Sequence, residues 1–181
     1  MSKIGKRPIT IPDGVEVKIE KENLIFRGPA GSLTFRIPLF IKAEVKDKKI
    51  FFNKENDIKQ TRANWGTIRS LAQNAVTGVK SGFEKNLELE GVGYRVTMEG
   101  ETLVLNIGYS HPIRFNPPEG IKISIAKNTI KVSGIDKNLA GRTAAQIKAR
   151  KPVEPYKGKG IHYTGEYVRR KAGKKVASAA K

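Results

Sequence analysis

The 181 residues contain no cysteine. That excludes a disulfide framework, a thiolate zinc site and a cysteine nucleophile. Histidine is scarce: His111 and His162 are the only two, they lie on different segments, and their spacing suggests no metal pair. No metal and no other cofactor is therefore expected. No apolar run approaches membrane-spanning length. The start, Met1-Ser2-Lys3-Ile4-Gly5-Lys6-Arg7-Pro8, is basic but leads into no apolar signal core. These absences point to a soluble, cytoplasmic protein. Acidic residues are also few, 17 Asp+Glu against 35 Lys+Arg. A metal-dependent nuclease wants carboxylates clustered beside its basic surface, and residues 137–181 hold only Glu154 and Glu166.

The net charge is +18 and the pI about 10.1. So large an excess repels itself in a compact state unless a polyanion neutralises it. It is also uneven. Residues 137–181 carry 13 basic and 2 acidic side chains, so +11 of the +18 lies in the last quarter. A basic face at one end of a body of near-ordinary charge is an electrostatic footprint of nucleic-acid binding. Anionic membrane is the competing polyanion, but it needs a basic helix with bulky apolar residues opposite the charges. Residues 169–181 offer only Val and Ala to insert. Nucleic acid is the favoured partner, with no membrane and no small-molecule substrate.

An internal repeat sets the organisation. Residues 24–53 overlay residues 104–133 at a constant shift of 80 without a gap. Leu24 meets Val104, Gly28 meets Gly108, Phe35 meets Phe115, Pro38 meets Pro118, Ile41 meets Ile121 and Phe52 meets Val132. This reads as a tandem duplication of one domain of about eighty residues, a size that folds alone on a modest core. A second similarity, 12–28 over 118–134 at a shift of 106, reads as two hairpins of like chemistry.

Each half is dominated by strand signals. Val15, Val17 and Ile19 alternate with charged residues, as do Leu33, Phe35 and Ile37 with polar ones. Tyr94, Val96 and Met98, then Glu99-Gly100, then Leu103, Leu105 and Ile107 read as a hairpin. Ile121, Ile123 and Ile125 lead through Lys127-Asn128 to Ile130 and Val132 as another. Such alternation predicts antiparallel sheet covered on one side. The covers are two helices. One spans about residues 58–79, with a stripe of Ile58, Trp65, Ile68, Ala72, Ala75 and Val79 that makes Trp65 a core residue. The other spans about 137–150, with Asp136 as N-cap, Pro152 beyond its end and a stripe of Leu139, Ala140, Ala144 and Ile147. The expected fold is therefore α+β. Two tandem duplicated domains, 1–82 and 83–160, each put a helix on one face of an antiparallel-rich β-sheet, and 161–181 form a basic tail.

Candidate active sites fail on inspection. Gly91-Val92-Gly93-Tyr94 has two glycines of a dinucleotide fingerprint but neither the third nor a following helix, so it reads as a bulge or turn between strands. Ser110-His111 are neighbours, and on a strand neighbours point opposite ways. No enzymatic activity is expected. A free-standing nucleic-acid enzyme or architectural factor with the same basic face stays as the rival. A nuclease would leave cleaved RNA in magnesium.

The densest signal is Lys151-Pro152-Val153-Glu154-Pro155-Tyr156-Lys157-Gly158-Lys159-Gly160-Ile161. Prolines fix φ and remove donors, and glycines let backbone bend or approach a partner closely. If the segment is extended, Lys157 and Lys159 project on one side, roughly 6.5 Å apart, to meet successive phosphates. Tyr156 offers a ring for stacking. The expected RNA-binding set is Arg150, Lys151, Tyr156, Lys157, Gly158, Lys159, Gly160, His162, Arg169, Arg170, Lys171, Lys174 and Lys175.

These residues carry a resemblance. Glu154-Pro155-Tyr156-Lys157-Gly158-Lys159-Gly160-Ile161 resembles the signature of the bacterial-type large-subunit ribosomal protein L-six family. The opening Ser2-Lys3-Ile4-Gly5-Lys6-Arg7-Pro8-Ile9 is similar to that family's, as are Gly91-Val92-Gly93-Tyr94-Arg95 and Gly108-Tyr109-Ser110-His111-Pro112. Val153 stands where proline is usual, and His162 where arginine is usual. The resemblance implies a non-catalytic structural protein of the large ribosomal subunit. It implies binding of large-subunit rRNA, mainly through the C-terminal domain and tail, near the sarcin–ricin loop and the base of the factor-recruiting stalk. Neighbouring ribosomal proteins and the translation GTPases would lie close by. With the charge asymmetry, it suggests that the C-terminal domain anchors on rRNA while the less basic N-terminal domain projects outward.

Overall fold

A computed structural model describes residues 4–173. The chain divides into two compact units, one of residues up to Phe83 with Gly134–Ala140, the other of Glu84–Ser133 and the chain from Gly141 onward.

In the first unit, strands β1 (Ile9–Thr10), β5 (Ile41–Lys46) and β6 (Lys49–Lys54) form one sheet in the order β1-β6-β5. Strands β2 (Glu16–Glu20), β3 (Asn23–Gly28) and β4 (Gly31–Arg36) form another in the order β2-β3-β4. All pairings are antiparallel. The helix α1 (Lys59–Ser81) packs against β1, β3, β4 and β6. The predicted stripe is the face it buries: Trp65, Ile68, Ala72, Ala75 and Val79 join Leu24, Phe26, Ile50 and Phe52 in one core. Ile58 is the exception, 58% exposed at the N-cap, where helical φ/ψ have not begun. Trp65 is core, as its place in the stripe implied. Its ring is 6% exposed and its indole N–H donates to the Phe52 carbonyl at 2.7 Å, so its one polar atom is satisfied.

In the second unit, β8 (Arg95–Glu99), β9 (Thr102–Asn106) and β10 (Ile113–Phe115) form a sheet in the order β10-β9-β8. A four-stranded sheet takes the order β11-β12-β7-β13, from β7 (Phe83–Glu90), β11 (Ile121–Ala126), β12 (Thr129–Gly134) and β13 (Gly160–Tyr163). The helix α2 (Lys137–Ala149) starts as expected. The Asp136 carboxylate accepts the Asn138 N–H at 2.8 Å, and Ala144 and Ile147 are fully buried.

The repeat holds, with one correction to its register. Leu24 pairs with Phe35, and Leu103 with Phe115. From Phe35 to Phe115 the shift is 80, but from Leu24 to Leu103 it is 79. A gap-free overlay sets Phe26, fully buried, on the exposed Asn106, because a one-residue slip turns every strand side chain to the other face. The extra residue lies in the connection. The first copy turns through residues 29 and 30, between the paired Gly28 and Gly31, whereas the second runs from Asn106 to Ile113. The other similarity, at a shift of 106, is a pair of like hairpins. Val15 N–H donates to the Pro12 carbonyl and Ile121 N–H to that of Pro118, both at 3.2 Å. Lys21 and Lys127 take φ of 51° and 56° in the two-residue turns.

Several strands escaped the sequence reading, β7 and β13 among them. β7 begins at Phe83, directly after the glycine that ends α1, and β13 occupies the first residues of the supposed tail. Ile161, fully buried, is core rather than tail.

Replacing Trp65 by Ala removes a buried ring whose place no neighbour can fill. Denaturant unfolding should show a loss of about 3–5 kcal/mol, with Trp65→Phe losing less.

Candidate nucleic-acid interface

The candidate interface is built by the chain after α2. Pro152 cannot continue the helix, and the last helical N–H groups close short turns, Arg150 on the Ile147 carbonyl at 3.1 Å and Lys151 on that of Lys148 at 3.3 Å. Residues 154–159 then form a closed loop rather than an extended segment. Glu154 N–H donates to the Lys159 carbonyl at 2.8 Å, and Gly158 N–H to the Glu154 carbonyl at 3.0 Å. The expected same-side projection of Lys157 and Lys159 therefore does not apply. Lys157 is exposed and Lys159 half-buried.

The two glycines are needed by the fold. Gly158 has φ of 72°, and a Cβ there would meet the Arg170 guanidinium at 2.7 Å. Gly160 has φ of 149°, and its Cβ would sit 2.7 Å from Cα of Val153. Any side chain would collide with backbone there, so Gly160 lets β13 cross the residues that follow α2. Both glycines are buried, and they shape the loop instead of presenting a surface.

β13 pairs antiparallel with β7, His162 opposite Glu88 and Ile161 opposite Leu89. The expected RNA-binding residue His162 is not on the surface. Its side chain is buried, its Nδ1 lies 3.0 Å from the Tyr163 carbonyl and its Nε2 3.5 Å from the Glu90 carboxylate. β13 is the edge strand of its sheet, and the ring is turned away from solvent there.

Beyond β13 the chain is tied down again. Glu166 N–H donates to the Tyr163 carbonyl, and the Glu166 carboxylate accepts from Tyr163 N–H, both at 3.0 Å, and from Lys148 Nζ at 2.6 Å. The Lys148 ammonium, then the Tyr163 N–H, hold this carboxyl below the usual carboxylate range. Lys171 N–H donates to the Pro155 carbonyl at 2.7 Å. The chain thus runs back over its own loop and gathers the cations of 150–171.

Arg150, Lys157, Arg169, Arg170 and Lys171 are exposed, Lys151 is half-buried and Tyr156 is 56% exposed. Arg170 lies 3.6 Å from the Glu90 carboxylate. Among the described residues, no carboxylate lies within ion-pair reach of Arg150, Lys157, Arg169 or Lys171. In the first unit Lys42 pairs with Glu55, Lys46 with Glu44, Lys48 with Asp13 and Lys54 with Asp57, while the exposed Lys18, Lys21, Lys49 and Lys59 have no ion-pair partner among the described residues. Lys174 and Lys175 lie outside the described residues.

The sequence reading passed over Tyr94 and Tyr109 as partners of this segment. Lys151 Nζ stands 4.4 Å from the Tyr109 ring centroid and 5.9 Å from that of Tyr94. The glycine-rich turn was legible, since Tyr94 N–H closes it on the Gly91 carbonyl at 3.2 Å, but its nearness to Lys151 depends on the sheet. Ser110 and His111 lie in the exposed connection before β10, not on a strand as supposed. Among the described residues, no group of three or more His, Asp or Glu is placed to hold a metal, and no helix is long and apolar enough to cross a membrane.

The sequence profile of the family described as Ribosomal protein L6 matches residues 11–82 and again 90–164. The chain belongs to the ribosomal protein L6 family. Its two matches are the two copies of the repeat, and they begin 90 − 11 = 79 residues apart, the shift that strand pairing gives for the first strands. The family's members are structural ribosomal proteins, not enzymes. The large ribosomal subunit protein uL6 of Campylobacter jejuni is 48% identical over 174 residues, 96% of this chain and 98% of that protein. The uL6 of Moorella thermoacetica is 49% identical over 182 residues, covering the whole of both chains. That of Syntrophomonas wolfei is 50% identical over 96% of this chain and 98% of that protein.

Glu166 ties the cationic segment to α2, and its depressed carboxyl sets a pH window. A carboxyl held low when folded adds stability above its unfolded pKa, and that stability is lost as pH falls through the folded pKa. Glu166→Gln should melt at a lower temperature than the parent at pH 7. The difference should vanish as pH drops below the usual carboxylate range, as thermal melts over a pH series would show.

Proposed function

We propose that this chain is a structural constituent of the cytoplasmic large ribosomal subunit, held on large-subunit rRNA by the cations that follow α2. The carrying observation is the exposed set Arg150, Lys157, Arg169 and Lys171, which has no carboxylate partner among the described residues. Unpaired cations on a folded surface keep their charge available to phosphates, and each phosphate neutralised releases condensed counterions. The segment is ordered by its own hydrogen bonds, so little chain entropy remains to be lost on binding. Lys174 and Lys175 extend the same charge in sequence.

The finer placement belongs to the same reading. Family resemblance supports contact near the sarcin–ricin loop and the stalk base, beside neighbouring ribosomal proteins and the translation GTPases. The charge asymmetry supports a division of labour. The chain from residue 83 onward anchors, with its domain taken as 83–160 and its tail from 161, and the 1–82 domain projects outward. In this role the protein is a clamp. Cations neutralise phosphates that folded RNA brings together, and the sheets hold those cations in one geometry.

The test is salt-dependent binding of the full chain to large-subunit rRNA. Lys157→Ala with Lys159→Ala should weaken binding and flatten the log–log salt slope by roughly 0.7 to 0.9 for each phosphate left without its cation. Equal replacement of Lys46 and Lys48 in the first unit should leave the slope in place. An unchanged slope in the first pair would reduce the segment to a solubilising one. Tagged protein should also co-sediment with large subunits and leave their RNA intact.

A further inference from the structure

Two loops of the second unit converge on the end of α2, one of residues 91–94 between β7 and β8, the other of 107–112 between β9 and β10. The Tyr109 hydroxyl donates to the Arg150 carbonyl at 3.3 Å. The Lys151 ammonium stands over the Tyr109 ring at 4.4 Å and within 5.9 Å of the Tyr94 centroid. Residue 108 in turn backs onto Tyr94, since a Cβ there would lie 3.3 Å from the ring. One lysine is thus held between two aromatic rings from two different loops. An ammonium attracted by ring quadrupoles keeps its charge while losing freedom before any ligand arrives.

Tyr109 is nevertheless 53% exposed. Ser110, His111 and Pro112 beside it are exposed as well. Its hydroxyl bond fixes the ring at one edge and leaves about half of it to solvent. Among the described residues, no carboxylate lies within ion-pair reach of Lys151 or Arg150. An anchored, accessible ring beside an immobilised cation matches one nucleotide, with the base against the ring and the phosphate against the ammonium.

We propose that Tyr109 and Lys151 form a contact site for an unpaired RNA nucleotide, Tyr109 stacking on its base and Lys151 neutralising its phosphate, with Tyr94 positioning the lysine. RNA is favoured over a protein partner because the ring stands against a cation with no carboxylate partner among the described residues, which a protein surface would have to match with a carboxylate. This inference rests on the rRNA-anchoring reading and adds loop 107–112 to that surface.

The test uses the full chain and large-subunit rRNA, with filter binding over a salt series and circular dichroism to verify folding. Tyr109→Leu should weaken binding by about 5- to 100-fold at an unchanged salt slope. Tyr109→Phe, which keeps the ring, should bind close to the parent. Lys151→Met should flatten the slope by roughly 0.7 to 0.9. Ultraviolet irradiation of the parent complex should leave a nucleotide adduct on Tyr109, a readout that needs no variant to fold. If Tyr109→Leu binds like the parent while the Lys157/Lys159 pair of replacements weakens binding, this site is wrong and the anchoring stands. If both sets bind like the parent, the anchoring itself fails. Equal losses for Tyr109→Leu and Tyr109→Phe would assign Tyr109 only its hydroxyl bond to Arg150 and overturn the stacking. In intact subunits, a cross-link from Tyr109 to a peptide would do the same in favour of a protein neighbour.

Discussion

The pairing of Gly160–Tyr163 with β7 is the constraint on which the cationic surface depends. A basic segment with no such anchor would be a solvated chain, its charges spread over many conformers. Here Ile161 enters the core, and its N–H donates to the Lys151 carbonyl at 2.9 Å. The strand therefore locks both ends of the loop that carries Lys157, and it does so from its own two sides, β7 on one and the residues after α2 on the other. Gly160 is the only residue type that lets the strand start there, because a side chain would run into the Val153 backbone. One hydrophobic side chain and one missing side chain thus order a surface made of lysine and arginine.

That arrangement also separates two kinds of charge. In the first unit Lys42, Lys46, Lys48 and Lys54 meet carboxylates, pairs that contribute little to stability when exposed. Their effect is to cancel field. Around the segment after α2 two carboxylates are used internally: Glu166 ties Lys148 and the Tyr163 N–H, and Glu90 of β7 faces His162 and Arg170. The carboxylates fix the segment and the free cations face outward. Free cations gathered this way raise the local potential where a polyanion would dock.

How far the sequence could be read follows from what kind of information each feature needs. Helix α1 was legible because a sevens, threes and fours stripe is local, and the Asp136 cap because an N-cap is decided within three residues. The duplication was legible from apolar residues in register. Its single-residue gap was not, since Val104 is buried beside Leu103 and Leu105 and blurs the alternation that would have shown the slip. β13 was hidden by prolines and glycines just before it, which describe the loop and not the strand it leads into. His162 looked like a surface contact because burial of a polar ring depends on β7, more than seventy residues earlier. The Tyr94–Lys151–Tyr109 cluster was out of reach for the same reason. Each member sits in a motif that reads locally as a turn, and only the sheet brings the three together.

The two copies show how one element could be spent in two ways. α1 runs for 23 residues and α2 for 13. The first match to the family profile ends at residue 82, just beyond α1, while the second ends at 164, just beyond β13. The stretch that is the last turns of a helix in the first copy is therefore a helix end, a loop and a strand in the second. Pro152 is the local cause, since it removes a donor and clashes with the turn before it. Uninterrupted, the helix would place Lys157 and Lys159 on different faces of a cylinder. Interrupted, the same length of chain closes a loop, adds a strand to the sheet and returns across its own beginning. The second copy shortens its covering helix by ten residues and gains from them an ordered cationic surface on a duplicated fold.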